Sequence, residues 1–427
     1  MGKIWNRLFL EERPSIGLSF FRLAVALTVG CHVIPYFFNL PDTFFHTAFR
    51  TVNLQFFPRG IIELVQKSSD PVVVGFVGLF LISWFFFLIG LFSQLSCIVM
   101  TLCCYYFYAL NYFTVGCLSW DILLVTLFLM CLTPYHGVYF SLDSLSGCDP
   151  DAFQRRRPYF IQRLLQMQIA STYFYTGLVK IGAQGNWFTD NPIYYLMNYP
   201  MEGVTKLFLL KDFLAHHPQL CYVIGVLIVC IELAMPFLLF YPPTRTSAIY
   251  LGLVFHVLLV LTLDVPAIFF FLFPAQLLLF IHPGRIIDWL EEKREGNRQD
   301  HRAAQIIYDG HCKFCRSTIV KLRVMDLFGT LRGVDYQTHP DVSRLHPHLT
   351  REIAHSQIHL VEPGGRLSAG FSVFRRLCLK LPMLYPLIPL VYFPGSGVVG
   401  PVLYRWVANN RYLLHFNKVC DDNACFR

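Results

Sequence analysis

The chain has 427 residues, of which 55% are hydrophobic, 16% aromatic and only 15% charged, and its mean hydropathy is +0.48. This composition excludes an ordinary soluble globular protein and predicts a polytopic membrane protein. The net charge is +8, but no basic stripe with interleaved base-stacking aromatics accompanies it, so we expect membrane lipid as a partner and no nucleic acid.

Eight apolar stretches are candidates for membrane-spanning helices, each of which needs about 20 mostly apolar residues. They are residues 16–39, 71–92, 94–114, 117–134, 158–182, 218–241, 246–263 and 265–282. A charged stretch precedes the first of them and no small-residue cleavage site follows it, so we expect a retained span and not a signal peptide. The mixed aromatic and charged segment 186–215 predicts a helix at the membrane interface. The fold class expected is a polytopic α-helical bundle of about eight spans.

Basic residues in the short loops predict the orientation, because they concentrate on the cytoplasmic side. With the N-terminus inside, the inner segments carry Lys3, Arg7, Arg13, Arg155, Arg156, Arg157, Arg245, Arg285, Lys293 and Arg294. The outer loops carry only Arg50, Arg59, Lys67, Lys206 and Lys211. Eight spans would then place both the N-terminus and the C-terminal domain in the cytoplasm.

The pattern changes where the predicted membrane domain, residues 1–285, ends. Residues 286–302 have the charge spacing of a solvated linker helix. Residues 303–427 predict a small α/β domain, with a strand in AQIIYDG, a helix in CKFCRSTIVKLRVMDLF, strands in TLRGVDYQ and SQIHLVEPGG, and a turn at 363–365. The Pro-rich run LPMLYPLIPLVYFPGSG has two open interpretations, a segment on the bilayer or part of this domain's core.

Two cysteines separated by two residues, Cys312 and Cys315, begin the predicted helix. A helix N-terminus carries unsatisfied N–H groups and a partial positive charge, so a cysteine there ionises more easily. We expect Cys312 to be exposed and nucleophilic and Cys315 to resolve a mixed disulfide. Structural zinc would need a second pair, and the spacing of Cys420 and Cys425 suits it poorly. We therefore expect no metal and interpret Cys420 and Cys425 as a second thiol pair; a zinc site and two inert thiols at 312 and 315 remain alternatives.

The run YDGHCKFC, with the later IHLVEPGGRLSAG and LYRWVANNRYLL, resembles the DCC family of thiol-disulfide oxidoreductase-like domains over residues 303–427. The resemblance implies a thioredoxin-like domain in which Asp309 lies beside the dithiol. The alternative for Asp309 is simply the first residue of a tight turn.

Charged groups inside a membrane bundle are costly, so they are expected to face inward and to pair or to act. Helical spacing places five polar side chains along one side of the fifth span, namely Gln162, Gln166, Tyr173, Thr176 and Lys180. A desolvated lysine could act as a base, whereas a lysine near the end of a span could instead reach towards the interface. We expect a second set to form buried ion pairs that stabilise the bundle: Arg22, Asp121, Arg163 and Glu232. The alternative for Arg22 and Arg163 is that they bind lipid phosphates.

The stretch GLVKIG followed by NWF, the FSLD after the fourth span and the pair Phe255 and His256 together resemble the HTTM region shared with vitamin K-dependent gamma-carboxylase, over about residues 10–285. The resemblance implies that Lys180 occupies the place of a lysine that acts in deprotonating the hydroquinone. It also implies that His256 matches a family histidine; the alternative is a hydrogen-bonded core histidine. No histidine stands near GCLSWDILL, where the carboxylase has another, so we expect a quinone-like or lipid pocket and not full glutamate carboxylation.

Quinones and disulfides each exchange two electrons and two protons, which suggests a link between the two domains. The hypothesis is a membrane-bound thiol-disulfide oxidoreductase whose dithiol exchanges electrons with a quinone, a vitamin K-like hydroquinone or another hydrophobic substrate. The pocket residues would be Gln166, Tyr173, Thr176 and His256, with Lys180 managing a proton. A protein or peptide thiol is a further candidate substrate. The alternatives are a membrane enzyme that modifies secreted peptides and a non-catalytic lipid-binding scaffold.

Overall fold

The computed structural model describes residues 6–51, 58–146, 156–182, 186–198, 208–263, 265–299, 302–339 and 341–411. By packing, the chain divides into two compact units: the first is Met1–Tyr139 with Arg155–Pro283, and the second is Phe140–Gln154 with Gly284–Arg427. The predicted membrane domain, 1–285, differs from the first unit at Phe140–Gln154. The reason is that Leu145 packs against the hydrophobic core of the second unit.

The first unit is a bundle of α-helices. Its helices are α1 (Ile16–Val33), α2 (Arg59–Gln66), α3 (Asp70–Ile89), α4 (Ser93–Leu110), α5 (Leu118–Cys131), α6 (Phe160–Ile181), α7 (Pro192–Asn198), α8 (Phe208–Ala215), α9 (Pro218–Phe240), α10 (Pro242–Thr262) and α11 (Leu272–Leu278). Two short strands, β1 (Glu12–Arg13) and β2 (Arg157–Pro158), pair antiparallel. Bulky aromatic side chains such as Trp120, Phe80 and Phe107 are fully buried and form much of the core.

By length and composition, five helices among the described residues could cross a membrane, and a bent helix pair would make six. The five are Ile16–Thr43, which continues α1, and α3, α4, α9 and α10. The structure therefore confirms a multi-pass helical bundle, with fewer such helices than the eight predicted. Helix α6 has 22 residues, but its polar side chains lower its hydropathy, and α5 has only 14 residues.

The apolar stretch predicted as a span at 265–282 is helical over only part of its length. It contains the helical segment Ala267–Leu278, and the next helix begins at Pro283. Proline disfavours the helical conformation of the residue before it, so the helix cannot continue through His282 into Pro283. The predicted interfacial segment 186–215 contains α7 and α8, and residues 199–207 between them lie outside the described residues.

The second unit is a small α/β domain preceded by a helix. Its elements are α12 (Pro283–Gln299), β3 (Ala304–Tyr308), α13 (Lys313–Met325), β4 (Leu331–Asp335), α14 (Arg351–Ser356), β5 (His359–Val361), β6 (Leu367–Ala369), α15 (Phe371–Lys380) and α16 (Ser396–Asn410). The described part of the charged segment predicted at 286–302 is helical, in α12, and Arg294 and Asn297 bind the carbonyls of Leu327 and Phe328.

Four strands form one sheet in the order β4–β3–β5–β6. Strands β3 and β4 are parallel because α13 crosses between them, whereas β5 and β6 form an antiparallel hairpin beside β3. The predicted turn at 363–365 is confirmed, and Gly365 adopts a φ of +73° that favours glycine. This sheet places the two cysteines at the carboxyl end of its central strand β3.

Candidate active site

The dithiol lies in the turn between β3 and α13. The N–H of Cys312 donates to the carbonyl of Asp309 at 3.3 Å, which closes the turn. Cys312 is the N-cap residue of α13, and its sulfur accepts the N–H of Cys315 at 3.4 Å. The two cysteines therefore stand at the helix N-terminus, as predicted.

Strand β4 fixes this turn through Gly310. The N–H of Gly310 donates to Oδ1 of Asp335 at 2.9 Å. A Cβ atom on Gly310 would lie 1.9 Å from Oδ2 of the same carboxylate. Only glycine allows the backbone to approach Asp335 this closely, so the turn depends on the absence of a side chain here.

The expectation that Cys312 is exposed is wrong, because its side chain is 0% exposed. The physical reason is the capping geometry: the sulfur turns back over the first turn of α13 to accept an N–H and does not point into solvent. Cys315 is partly exposed and lines a cavity. Access to the pair from that cavity is therefore through Cys315.

The two cysteines differ in pKa because their surroundings differ. The pKa of Cys312 is lowered to about 6, chiefly by a hydrogen bond from the Cys315 thiol, with the Cys315 N–H and the charge of Arg411 acting in the same direction against burial and Asp309. The pKa of Cys315 is raised by its hydrogen bond to Cys312 and by burial. Near neutral pH, Cys312 is thus the thiolate and Cys315 the thiol that can donate to it.

Asp309 is buried, at 3% exposure, and combines both roles considered for it. Its Oδ1 accepts the N–H of His311 at 3.0 Å, as the first residue of a tight turn does. The same oxygen accepts from Nε2 of Gln337 at 3.2 Å. Its Oδ2 lies 3.6 Å from Nη2 of Arg411 and 3.7 Å from Nδ1 of His355. Asp309 is therefore the centre of a polar network beside the dithiol.

Sequence reasoning missed the other members of this network. Nη2 of Arg411 also donates to the carbonyl of His355 at 2.8 Å. The hydroxyl of Tyr336 forms a hydrogen bond with Nδ1 of His355 at 2.7 Å and accepts from Nε2 of Gln337 at 3.0 Å. The only sequence signal for any of them was the run LYRWVANNRYLL, which contains Arg411.

A cavity of about 300 Å³ adjoins the dithiol. Its lining is largely apolar and comes mainly from α13, α15 and α16, with Phe314, Cys315, Phe371, Phe374, Leu403 and Tyr404 among the residues. Asp309 and Arg411 add polar groups to the same lining. A sulfur, an ion pair and apolar walls therefore meet in one space large enough for a small hydrophobic group.

In the first unit, the predicted pocket residues fall into pairs. The hydroxyl of Tyr173 and Nε2 of His256 lie 2.7 Å apart, and both side chains are buried. Nδ1 of His256 is a buried nitrogen with no hydrogen-bond partner among the described residues. Nζ of Lys180 forms an ion pair with both carboxylate oxygens of Glu232, at 2.8 and 2.7 Å, and lies 5.2 Å from the centroid of the Trp187 ring.

The remaining polar side chains predicted along α6 form hydrogen bonds within the protein. Nε2 of Gln166 donates to the hydroxyl of Tyr159 at 3.0 Å and to the carbonyl of Leu279 at 2.7 Å, and Gln162 repeats both contacts. The hydroxyl of Thr176 donates to carbonyls of its own helix. A pocket role for Gln166 and Thr176 stays a prediction.

Glu232 forms a buried ion pair, but its partner is outside the predicted set. Glu232 pairs with Lys180, whereas Asp121 accepts from the hydroxyl of Tyr108 at 2.6 Å. Arg22 donates to the carbonyls of Phe87 and Leu88.

Cys420 and Cys425 lie outside the described residues. Within the described ranges, no group of three or more His, Cys, Asp or Glu side chains is arranged to hold a metal ion.

Comparison with known proteins agrees with both sequence resemblances. A family model described as HTTM domain matches residues 14–289. A second, described as DCC1-like thiol-disulfide oxidoreductase, matches residues 306–417 and includes both cysteines of the dithiol. A search of curated proteins and a search of solved structures each found no match. Because the first model covers more than half of the chain, the protein belongs to the HTTM domain family, and it joins that domain to a DCC1-like thiol-disulfide oxidoreductase domain.

Proposed function

We propose that this protein is a membrane-bound thiol-disulfide oxidoreductase whose reactive pair is Cys312 and Cys315. The observation that carries the proposal is the environment of Cys312, where a helix N-terminus, a thiol donor and Arg411 together lower its pKa to about 6. An inert thiol in a structural core has no such environment. The DCC1-like family match supports the same conclusion.

The pair can exchange two electrons with a substrate disulfide. Cys312 is 0% exposed at rest, so the proposed cycle requires the turn to open before a substrate reaches it. The Cys312 thiolate then attacks one substrate sulfur, and the other substrate sulfur leaves as a thiolate that takes up a proton. Cys315 then loses its proton and attacks the Cys312 sulfur, which releases the second substrate sulfur. The products are a Cys312–Cys315 disulfide and a substrate dithiol, and the same steps in reverse oxidise a substrate dithiol.

The partner in the second half of the cycle is a hydrophobic, quinone-like carrier. After the pair has oxidised a substrate dithiol, it is a dithiol again and can pass two electrons to a quinone, which returns it to the disulfide. The quinone also takes up two protons to become a hydroquinone; Cys315 supplies one and solvent the other, because Cys312 is already a thiolate near neutral pH. In the bundle, the unpartnered Nδ1 of His256 beside Tyr173 fits a ligand oxygen. Lys180 and Glu232 supply a charged pair for handling a proton. The apolar cavity beside Cys315 fits a hydrophobic group as well.

The test uses the full-length protein in lipid nanodiscs. After equilibration in glutathione redox buffers, peptide mapping is expected to find a Cys312–Cys315 disulfide whose fraction follows the glutathione ratio. Reduced protein is then mixed with decylubiquinone, and one hydroquinone is expected for each disulfide formed. Cys312→Ser and Cys315→Ser are expected to abolish both, whereas Cys378→Ser, which removes a buried thiol of the same domain, leaves both unchanged.

Two results would count against the proposal in different ways. If no glutathione ratio produces the disulfide, or if the serine variants at 312 and 315 retain thiol exchange, the oxidoreductase assignment fails. If the disulfide forms with glutathione but decylubiquinone yields no hydroquinone, the dithiol assignment stands and the quinone-like carrier is wrong.

A further inference from the structure

Helix α16 presents its apolar side chains away from the domain that it packs on. Its inner side is held closely: a Cβ atom on Gly400 would lie 2.2 Å from the ring of Phe371, and the hydroxyl of Tyr404 accepts the N–H of Ile358 at 3.0 Å. Its outer side carries Val398, Val399, Val402, Leu403 and Trp406, which are 56–73% exposed. A helix on a soluble domain normally shows the opposite arrangement.

The segment before α16 extends the same apolar exposure. It contains the Pro-rich run, whose place on the bilayer or in the core the sequence left open. Leu390 is 72% exposed and Phe393 is 65% exposed, and Tyr385 and Leu387 are also exposed. Single exposed apolar residues are ordinary, but a chain segment with this many of them marks an interaction surface. The start of the run packs on the domain's core through Leu381, Met383 and Leu384, whereas the apolar side chains from Tyr385 onward are left outside it.

All the charged residues of this region are basic. Residues 371–411 contain five basic residues and no acidic residue; the basic ones are Arg375, Arg376, Lys380, Arg405 and Arg411. Arg405 is exposed next to Trp406, and Arg375 lies over the ring of Tyr392 at 4.3 Å from its centroid. Basic side chains beside exposed Trp and Tyr are the composition that favours a bilayer interface containing anionic lipid.

We propose that residues 385–406, here called the docking surface, bind a bilayer leaflet that contains anionic phospholipid. Charge complementarity favours lipid over a second copy of this chain, because two surfaces of the same positive sign would repel. The chain also carries membrane-spanning helices, so a bilayer is always within reach of this domain. The inference does not depend on the redox chemistry of the dithiol.

Docking has a consequence for the dithiol that does rest on the proposed function. Leu403 belongs to the docking surface and also lines the cavity that contains Cys315. Contact between α16 and lipid would therefore place the cavity next to the apolar phase. A hydrophobic carrier could then reach the cavity without crossing water.

The experiment places a photoreactive benzoylphenylalanine at Leu390 or at Val398 of the full-length protein in nanodiscs of phosphatidylcholine with phosphatidylserine. The control position is Ile353 in α14, an apolar residue of the same domain that is 40% exposed. After illumination, intact mass is expected to show a single-phospholipid adduct at Leu390 and Val398, at a several-fold higher yield than at Ile353. Omitting phosphatidylserine is expected to lower the yield.

Charge reversal supplies a second measurement. Arg376→Glu combined with Arg405→Glu is expected to reduce the yield of the lipid adduct at Val398 several-fold. The control is Arg366→Glu, which changes an exposed arginine directly after the 363–365 turn and is expected to leave the yield unchanged. The urea midpoint for unfolding of the C-terminal domain, measured in each variant, checks that the domain is folded. Equal yields at all three positions, no lipid adduct, or crosslinks to a second copy or to the protein's own helices would overturn the proposal.

Discussion

The guanidinium of Arg411 and the carboxylate of Asp309 lie 3.6 Å apart, from Nη2 to Oδ2, and act on Cys312 in opposite directions. Arg411 follows α16 and Asp309 follows β3, so the pair joins two distant parts of the chain beside the dithiol. Both side chains are largely buried, which keeps their fields unscreened. The positive charge of Arg411 lowers the pKa of Cys312, and the negative charge of Asp309 raises it.

Removing each charge should therefore shift the acidity of Cys312 in opposite directions. Arg411→Met is expected to raise the pKa of Cys312 above about 6, and Asp309→Asn is expected to lower it. Near neutral pH, the first change decreases the thiolate fraction, and the second increases it. The measurement is the pH dependence of thiolate absorbance, taken as the difference between each variant and the same variant carrying Cys312→Ser.

Arg405→Met is the matched control, because Arg405 is an exposed arginine of the same helix and donates to the carbonyl of Pro401. Its titration is expected to follow the unchanged protein. Shifts of the same sign in the Arg411 and Asp309 variants would contradict the electrostatic account and would indicate that either change disrupts the turn.

Gly310 provides a test of how the turn is held. Gly310→Ala would place a methyl group 1.9 Å from Oδ2 of Asp335, so the carboxylate must move and the hydrogen bond from the Gly310 N–H is lost. Crowding of this kind costs about 1–3 kcal/mol. We expect a lower urea midpoint for unfolding of the C-terminal domain.

Gly364→Ala is the comparison, because a Cβ atom there meets nothing within 4 Å and the residue is in the exposed 363–365 turn. Its urea midpoint is expected to stay within experimental error of the unchanged protein. An equal loss of stability in both glycine variants would show that Asp335 moves aside freely and that the close approach is not what fixes the turn.

The sheet of the second unit follows largely from local sequence signals. The apolar run before the Asp-Gly turn predicted β3, Gly365 predicted the turn, and two cysteines at a helix start predicted α13. Each of these signals acts over a few residues, so no knowledge of the tertiary structure was needed. The break before Pro283 has a local cause too, but a long apolar stretch concealed it.

Only the site residues that lie close together in the sequence could be predicted. Asp309, Cys312 and Cys315 lie in one turn, and the motif brings them together. Arg411 and Gln337 reach Asp309 only through tertiary packing, and although Arg411 lies in the run LYRWVANNRYLL, nothing in that run points to Asp309. The burial of Cys312 has the same origin, because it depends on which way the sulfur turns at the helix cap.

The side of the membrane on which the dithiol lies depends on the number of crossings. An even number returns the C-terminal domain to the side of the N-terminus, which the loop charges predict to be cytoplasmic. An epitope inserted between Gly364 and Gly365 is expected to bind antibody only after permeabilisation of sealed, right-side-out vesicles. An epitope between Ser68 and Ser69, in a predicted outer loop, is expected to bind without permeabilisation. The reverse pattern, or binding of both, would refute the predicted orientation.

The Lys180–Glu232 ion pair should be worth more to the fold as a pair than either residue alone. Their side chains are only 20% and 8% exposed, so removing one partner leaves a poorly solvated charge, at a cost of roughly 3–5 kcal/mol. We expect Lys180→Met and Glu232→Gln each to lower the thermal midpoint in nanodiscs more than the double variant Lys180→Met with Glu232→Gln. The exposed pair Arg59–Glu63, whose side chains are 83% and 56% exposed, is the control. Its removal is expected to change stability by about 0–1 kcal/mol.

Additive losses at Lys180 and Glu232 would show that the two charges are solvated independently and would remove the pair as a candidate for proton handling.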